Sequence, residues 1–402
     1  MDFKIKNSIE KILSQESGSF YLYDRETIDR KASELTAGLD QYNFLYSIKA
    51  NPFPEVLRYI IGKGFGADAA SAAEVNLAVE AGAKPENIYY SAPGKTSNDI
   101  EAAIGKCTII ADSYAELNLL NAIAREQGLH VKAGVRINPD FSMFGNAGES
   151  SKFGIDEETL IGNKDLLDSY SAVSIAGIHV HLRSQVLDDA ALARYYRRIF
   201  ATARDCKTQL GWDISFINLG GGLGIPYSTS QDRPLDISQL SNACLEIIRQ
   251  YDALLGTKLM IETGRYLVCE SGWYVTPIID RKESRGTKYI IVQNGLNGFL
   301  RPSVAALLKN AARSDLAGFS AEPLFTGMDA FDFTIWGKDN TLLEEVTIAG
   351  NLCTATDILA SNIMLPPADI GDWVVISKAG SYAYSLSPVL FSSQPVPKQF
   401  FI

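Results

Sequence analysis

The sequence predicts an α/β protein built on a (β/α)8 barrel, with a second, β-rich domain after it. Short apolar runs alternate with stretches of helical periodicity from about residue 43 to residue 262. Charged, polar or glycine residues lie at or near the ends of several of these runs, which is where the strands of a parallel barrel carry functional residues. After Gly272 the helical periodicity largely disappears and short runs separated by turns replace it. Eight such units in roughly 230 residues match the usual size of a (β/α)8 barrel.

The predicted barrel strands lie at residues 43–49, 66–70, 87–91, 107–111, 130–138, 175–182, 216–219 and 258–262. Helical stretches separate them, and the clearest has Leu192, Tyr195, Tyr196 and Ile199 on one face, the spacing of a helix that packs on a sheet. Asp236 is a typical N-cap for the helix before the eighth strand. A doubly wound open sheet is the alternative, but it usually carries a glycine-rich fingerprint after its first strand, which this chain lacks.

The chain divides into two predicted domains. Residues 29–272 form the barrel, and residues 1–28 and 273–402 form the β-rich domain, because Phe20–Tyr23 has the pattern of a strand that precedes the barrel. Residues 310–340 are irregular and rich in Gly, Asp and Phe, and we interpret them as a long excursion without an assigned role.

The composition excludes several classes of protein. The net charge of −10 and the pI of about 5.0 argue against a nucleic-acid or anionic-membrane partner. The first 15 residues do not have the pattern of a signal peptide, and no run of 18 apolar residues occurs. The 5 cysteines form no CxxC pair, which fits a reducing compartment and argues against a zinc ribbon. We therefore expect a cytoplasmic enzyme.

Candidate functional residues lie where the predicted strands end, which is where (β/α)8 barrels carry their chemistry. Lys49 ends the first strand, and the chain turns at once through Ala50, Asn51 and Pro52. A buried lysine with a lowered pKa forms Schiff bases with carbonyl compounds. A lysine that only extends its amine to solvent from a strand end is the alternative. Asp68 and Arg136 lie on the second and fifth strands.

The sixth and seventh strands end in two imidazoles and a glycine run. His179 and His181 are two residues apart, so both rings face the same side of a regular strand. A shared metal is conceivable, but the chain has only 3 histidines, too few for a typical metal-dependent hydrolase. The run Gly220–Gly224 suits the close approach of an anion such as phosphate, although a plain tight turn is the alternative.

Glu262 ends the apolar run Leu259–Ile261 on the eighth strand. A buried carboxylate needs a partner that stays charged, and a protonated pyridine nitrogen is one candidate. An ion pair with Arg265 is the other.

Seven motifs in one order give the chain a specific resemblance. They are YSIKAN around Lys49, DAASAAE at 68–74, GIHVHLRSQ at 177–185, NLGGGLG at 218–224, ETGR at 262–265, LCTATD at 352–357 and GSY at 380–382. From about Tyr21 to its end, the chain resembles the fold-type III decarboxylases that depend on pyridoxal 5'-phosphate (PLP), the diaminopimelate and ornithine decarboxylase family. Their barrel is also that of the alanine racemases, but those enzymes place an arginine at the pyridine nitrogen, so racemase activity is disfavoured.

The resemblance implies a role for each candidate. Lys49 would form the Schiff base with PLP, His181 would stack on the pyridine ring, and Glu262 would keep the ring nitrogen protonated. Cys353 of a second subunit would protonate the product carbon, so the resemblance also implies a homodimer with shared active sites. The further cofactor contacts that it implies are Asp68, Arg136, Ser184, Gly221, Gly222, Gly264, Arg265 and Tyr382, with Ser71 and Glu74 in support.

Three positions depart from the diaminopimelate decarboxylases. In those enzymes a glutamate follows the cysteine and binds the distal ammonium of the substrate, whereas Thr354 stands here. A tyrosine follows the Arg301-Pro302 pair at the position of Ala305, and Arg183 replaces a glycine. A lost acid, a lost aromatic ring and an added cation should weaken the recognition of a distal zwitterion.

The stretch VTIAGNLCTATD at 346–357 resembles instead family members that act on amino acids attached to a carrier protein or a siderophore precursor. The sequence thus predicts a decarboxylase of such a conjugate, for example a glutamyl or citryl conjugate, with free meso-diaminopimelate as the second possibility. The candidate substrate-binding residues are Arg183, Arg301, Thr354 and Asp357. A non-catalytic PLP-binding homologue is a further alternative, but it predicts the loss of Lys49 or Cys353, and both are present.

Overall fold

The computed structural model describes residues 3–228, 232–251, 254, 256–310, 330–339 and 341–402. Most of the predicted excursion at 310–340 lies outside the described residues. Contacts between residues divide the chain into two compact units. The barrel unit comprises residues 33–224 and 235–264, and the β-rich unit comprises residues 1–32, 225–234 and 265–402.

The chain begins with α1 (Phe3–Leu13), β1 (Phe20–Tyr23) and α2 (Arg25–Gly38). The elements that follow are β2 (Asn43–Ser47), α3 (Pro54–Gly62), β3 (Gly66–Ala69), α4 (Ala72–Glu80), β4 (Ile88–Tyr90), α5 (Ser97–Ala103), β5 (Thr108–Ala111), α6 (Tyr114–Glu126), β6 (Val131–Asn138), β7 (Ile155–Asp156), α7 (Glu157–Gly162), α8 (Lys164–Asp168), β8 (Val173–His179), α9 (Asp189–Asp205), β9 (Phe216–Asn218), α10 (Ile237–Gln250) and β10 (Lys258–Thr263).

Eight parallel strands close into a barrel, which confirms the predicted fold class. Their order is β2, β3, β4, β5, β6, β8, β9 and β10, and β10 pairs with β2 to complete the ring. Polar side chains begin the helices that surround it: Ser71, Thr96, Ser113, Asp188 and Asp236 each accept a hydrogen bond from a backbone N–H in the first turn. These caps satisfy amides that a helix start leaves unpaired.

Phe216 fills the interior of the barrel. It belongs to a cluster with Leu45, Tyr89, Ile110, Ala176 and Met260, which come from neighbouring strands. Glycines make room for its ring: a Cβ added at Gly134 would lie 2.8 Å from Phe216 Cζ, and one at Gly177 would lie 2.6 Å from Phe216 Cδ1. The pairing of a large ring with two glycines fixes how the strands meet in this layer.

The β-rich unit contains α11 (Arg265–Val268), β11 (Gly272–Ser284), β12 (Thr287–Val292), α12 (Leu300–Asn310), β13 (Phe333–Ile335), β14 (Glu344–Gly350), β15 (Ile358–Leu365), β16 (Trp373–Ile376) and β17 (Lys398–Phe401). The strand order is β13-β16-β11-β12-β14-β15. Strand β1 pairs with β11 of this sheet, and β17 pairs with β1. Helix α1 packs Ile5 and Ile9 against Phe20, Leu22 and Val275 of this sheet.

The contact grouping and the predicted domain limits differ in three places. Residues 29–32, 225–234 and 265–272 group with the β-rich unit, whereas the barrel was predicted to comprise residues 29–272. The last two segments are bonded within the β-rich unit: Tyr227 receives hydrogen bonds from Arg265 and from Arg301 of α12. Separately, no helix in the described part of the chain is long and apolar enough to cross a membrane.

Two predicted strand ends are shifted. Lys49 lies in a single 3-10 turn, Ile48–Ala50, because β2 already ends at Ser47. His181 lies two residues beyond β8, which ends at His179, so the two imidazoles do not share a regular strand.

The packing of Phe216 yields a prediction for stability. We expect Phe216→Ala to lower the free energy of unfolding by about 3–5 kcal/mol, because the glycines around the ring cannot fill the space it leaves. Urea denaturation followed by circular dichroism measures this loss. Phe3→Ala removes the same atoms from a side chain that is 78% exposed, and should change stability by less than about 0.5 kcal/mol. Equal losses for the two variants would contradict this account of the core.

Candidate active site

Lys49 is held by the buried carboxylate of Asp68 in the barrel unit. Its Nζ donates to Asp68 Oδ2 over 2.9 Å, and 44% of the lysine side chain is exposed. Asp68 is fully buried and also accepts hydrogen bonds from Ser47 Oγ at 2.9 Å and Ser91 Oγ at 2.7 Å. The amine of Lys49 is therefore held by Asp68 on one side and is accessible to solvent on the other.

The carboxylate of Glu262 is buried and charged. Asn218 Nδ2 donates to its Oε1 over 2.9 Å, and His179 Nε2 lies 3.1 Å from the same oxygen. Burial opposes ionisation, but the interactions with His179, Lys49 and His181 outweigh it and hold the pKa of Glu262 below its usual range. Among the described residues, no hydrogen bond is recorded for Oε2, so this oxygen remains available to a cationic partner.

His181 is held by the glycine run. The N–H of Gly221 donates to His181 Nδ1 over 3.0 Å, so this ring nitrogen carries no proton. Burial above all, and the charges of Arg136 and Lys49, lower the pKa of His181 to about 3 against the opposing effect of Glu262. A neutral, flat imidazole results.

The glycine run needs its glycines for both conformation and space. Gly220 and Gly222 have φ values of +69° and +132°, which side chains rarely adopt. A Cβ at Gly220 would lie 2.4 Å from Val180 O, and one at Gly222 would lie 3.0 Å from Arg183 O. The backbone can thus approach a ligand closely. Gly264 is also tight, because its Cβ would lie 2.8 Å from Ala50 Cβ.

Arg136 connects His181 to the neighbouring strand ends. Its guanidinium donates to His181 O and to Ser91 O, and lies 3.6 Å from Asp112 Oδ1. Ser184 and Arg183 lie in the loop beyond His181, with the Arg183 guanidinium 5.3 Å from the centre of the Phe144 ring. Ser71 and Glu74 lie at the start of α4, where Ser71 caps the helix and Glu74 accepts from Ala70 N.

The β-rich unit contains a second cluster around Tyr227. The phenol oxygen accepts from Arg265 Nη1 at 2.7 Å and from Arg301 Nη2 at 2.9 Å, and all three side chains are buried. Arg301 also donates to Ser381 O, and Arg265 lies over the Tyr382 ring with its guanidinium 4.9 Å from the ring centre. The Nε and Nη2 atoms of Arg265 have no hydrogen-bond partner among the described residues. A buried guanidinium with two unbonded nitrogens is stabilised when an anion binds to it.

The loop that carries Cys353 is tied down by Asp357. One carboxylate oxygen of Asp357 accepts from Leu296 N at 2.6 Å and the other from Leu352 N at 2.9 Å. The backbone of Gly295 and Gly350 passes so close that a Cβ at either would strike the carboxylate. Both of its oxygens are engaged by backbone amides, and the contact of Asp357 with substrate stays a prediction. Cys353 is exposed and Thr354 is half-buried.

The chain is similar to known proteins. A family model described as the pyridoxal-dependent decarboxylase, pyridoxal binding domain, matches residues 25–269. The L-glutamyl-BtrI acyl-carrier protein decarboxylase of Niallia circulans is 32% identical over 387 residues, which cover 94% of this chain and 87% of that protein. The chain belongs to the pyridoxal-dependent decarboxylases.

Other members of the family agree with this assignment. The diaminopimelate decarboxylase of Zymomonas mobilis is 27% identical over 96% of this chain and 88% of its own length. The structure of diaminopimelate decarboxylase from Helicobacter pylori with L-lysine has a TM-score of 0.83 over 98% of this chain and 94% of that chain. At 23% identity this likeness shows the fold alone. The predictions of a PLP cofactor and of a carboxy-lyase are confirmed by the family.

The residues of each unit fit PLP. In the barrel unit, Lys49 supplies an amine, Glu262 an ionised carboxylate with one unbonded oxygen, and Gly220–Gly222 a close backbone approach. In the β-rich unit, Arg265 supplies a buried cation with two unpartnered nitrogens. An amine, an anion-binding cation and a carboxylate are the groups that an aldehyde, a phosphate and a pyridine nitrogen require.

Several contributors were not predicted from the sequence. Asn218, Tyr227, Asp112 and the Lys95–Glu116 pair have no motif of their own. Lys95 is buried and bonded to Ile110 O at 2.7 Å and Glu116 Oε2 at 2.9 Å, which ties the turn after β4 to the end of β5 and the start of α6. The one available signal for Asn218 was its place inside the NLGGGLG motif.

The neutral state of His181 is testable by nuclear magnetic resonance. We expect its imidazole to remain unprotonated in the cofactor-free protein between pH 5 and pH 7, because its pKa lies at about 3, against an ordinary value of about 6.5. Between these two values the unfolded chain binds a proton that the folded chain does not, so stability should fall as the pH decreases through this window.

The chain has 3 histidines, so 15N-histidine spectra contain few signals. His181→Gln identifies the signal of His181, and the exposed His130 serves as the comparison in the same sample. Protonation of His181 near pH 6.5 would contradict the expectation.

Proposed function

We propose that this chain decarboxylates an amino acid attached to a carrier protein, using the groups at the mouth of its barrel. The observation that carries the proposal is the 32% identity to a glutamyl acyl-carrier protein decarboxylase over 94% of the chain. The absence of the acid after Cys353 supports it: Thr354 provides no negative charge for a distal ammonium.

In the proposed reaction, bound PLP would accept the electrons of the carbon–carbon bond that breaks when CO2 leaves. Lys49 Nζ is the amine that holds the cofactor until the substrate amine replaces it, and Asp68 positions that amine. Glu262 would keep the pyridine nitrogen of the cofactor protonated, and His181 would stack on its ring. The glycine run, Gly264 and Arg265, with Ser184 and Tyr382, bind the phosphate, and Arg136 holds the backbone of His181.

We propose that the Cys353 thiol delivers the proton to the carbon that lost CO2. Its exposure fits a role in the active site of a second copy of the chain, and we therefore propose a homodimer with shared sites. Arg301 and Arg183 are the proposed contacts for anionic groups of the substrate. A cytoplasmic location is proposed from the 5 free cysteines.

Free meso-diaminopimelate is the second candidate substrate, because diaminopimelate decarboxylases are also similar, at 27% identity for the enzyme of Zymomonas mobilis. A non-catalytic role is disfavoured by the presence of both Lys49 and Cys353.

The role of Lys49 is testable by absorbance. We expect the purified protein to show a visible band from the lysine-bound cofactor, and Lys49→Ala to lose both the band and CO2 release, because no other amine occupies its place. Lys84→Ala changes an exposed lysine of the same unit and should retain both. A Lys49→Ala variant with an unchanged visible band would contradict the assignment.

The substrate is testable by mass spectrometry. We expect CO2 loss from a glutamyl-carrier protein at a kcat/KM at least tenfold above that for free meso-diaminopimelate or free glutamate, because Thr354 cannot pair with a distal ammonium. Faster turnover of free diaminopimelate would overturn the proposal.

A matched pair of variants tests the reason for this preference. Thr354→Glu should raise kcat/KM for diaminopimelate by about tenfold, the worth of one charge-assisted contact. Thr356→Glu places the same charge two residues away on an exposed position of the same loop and should not. Equal effects of the two variants would show that only the net charge of the loop matters.

A further inference from the structure

Two buried side chains of the barrel unit converge on one oxygen of Glu262. His179 ends β8 and Asn218 ends β9, and the two residues are paired across these strands. Asn218 Nδ2 lies 2.9 Å and His179 Nε2 lies 3.1 Å from Glu262 Oε1. His179 is 1% exposed and Asn218 is fully buried, so water does not compete for these contacts.

The contact with Glu262 is the one polar contact that the structure records for the His179 ring. Its two nitrogens have no partner that meets hydrogen-bond geometry among the described residues, and its Nε2 lies at ion-pair distance from the carboxylate. An imidazole buried without a partner is costly. Its position is therefore explained by Glu262 and not by the packing of the strand.

Asn218 has a second task. Its Oδ1 accepts from Gly220 N at 2.9 Å while its Nδ2 donates to Glu262. A change at Asn218 would disturb the glycine run and the carboxylate together. Among the described residues, the polar contact recorded for the His179 ring is with Glu262. A change at His179 therefore tests the effect on the carboxylate without breaking the bond to the glycine run.

We propose that His179 is a positioning residue for the cofactor, acting through Glu262. Together with Asn218 it holds Oε1 and thereby directs Oε2 to the pyridine nitrogen of bound PLP. The effect of His179 on the charge of Glu262 points the same way, because it is the largest of the contributions that lower the pKa of this carboxyl. The inference rests on the proposed role of Glu262.

The test is the affinity of the cofactor-free protein for PLP, measured by titration of the visible band. His179→Leu should weaken PLP binding by about tenfold or more, the equivalent of one unit in the pKa of the partner. His179→Gln retains an N–H group at the reach of Nε2 and should recover most of the affinity. His179→Asn has the same amide on a shorter side chain that does not reach Glu262, and should behave like His179→Leu. It also replaces the leucine variant if that one fails to fold.

A double-mutant cycle shows whether His179 acts through Glu262. In a Glu262→Gln background, His179→Leu should change PLP affinity less than threefold, because the carboxylate that it acts on is gone. Two fully additive losses would overturn the inference, and so would equal affinities of the His179→Gln and His179→Asn variants.

The same cycle separates the two levels of the argument. If Glu262→Gln leaves the affinity and the visible band unchanged, the proposed role of Glu262 fails, and the inference fails with it. If Glu262→Gln weakens PLP binding while His179→Leu does not, only the inference about His179 is wrong.

Discussion

The fully buried carboxylate of Asp68 is the interaction on which the mouth of the barrel depends. It lies on β3 and accepts hydrogen bonds from Ser47 at the end of β2, from Lys49 just beyond it and from Ser91 directly after β4. A charge with no exposed surface is stable only when its oxygens are bonded. The strand ends must therefore meet in one arrangement, and that arrangement orients the amine of Lys49. The same requirement applies to the buried ion pair of Lys95 and Glu116, which joins the turn after β4 to the start of α6 after β5.

Periodicity and strand-end chemistry predicted much of this molecule. The eight barrel strands, the cap at Asp236 and the strand Phe20–Tyr23 were all found, because each depends on residues close in sequence. Helices α1 and α2 were not predicted. Lys49 was expected to end a strand, but the chain already leaves the sheet after Ser47. A shift of this size depends on hydrogen bonds such as that from Tyr46 Oη to Asn51 O, which alternation of apolar residues does not encode.

The site was less predictable wherever partners come from distant segments. Nothing near Tyr227 in sequence indicates that its phenol lies between Arg265 and Arg301, which are 38 and 74 residues away. The contact between His179 and Glu262 likewise joins β8 and β10, which the sheet places on either side of β9. For Asp357, whose place in a motif suggested a ligand contact, the sequence did not indicate that its two oxygens are bonded to the backbone amides of Leu296 and Leu352.

The hydrogen bonds of Asp357 fix the backbone of its loop, and they do not involve the side chain at position 354. Because the carboxylate fixes Leu296 and Leu352 with two glycines packed against it, the path of the backbone on either side of Cys353 does not depend on the side chain at position 354. Thr354 and Thr356 bond to each other at the surface, 2.9 Å apart, and in the described part of the chain neither side chain bonds to another element. Residues can therefore be exchanged at this surface position without first compensating for lost stability.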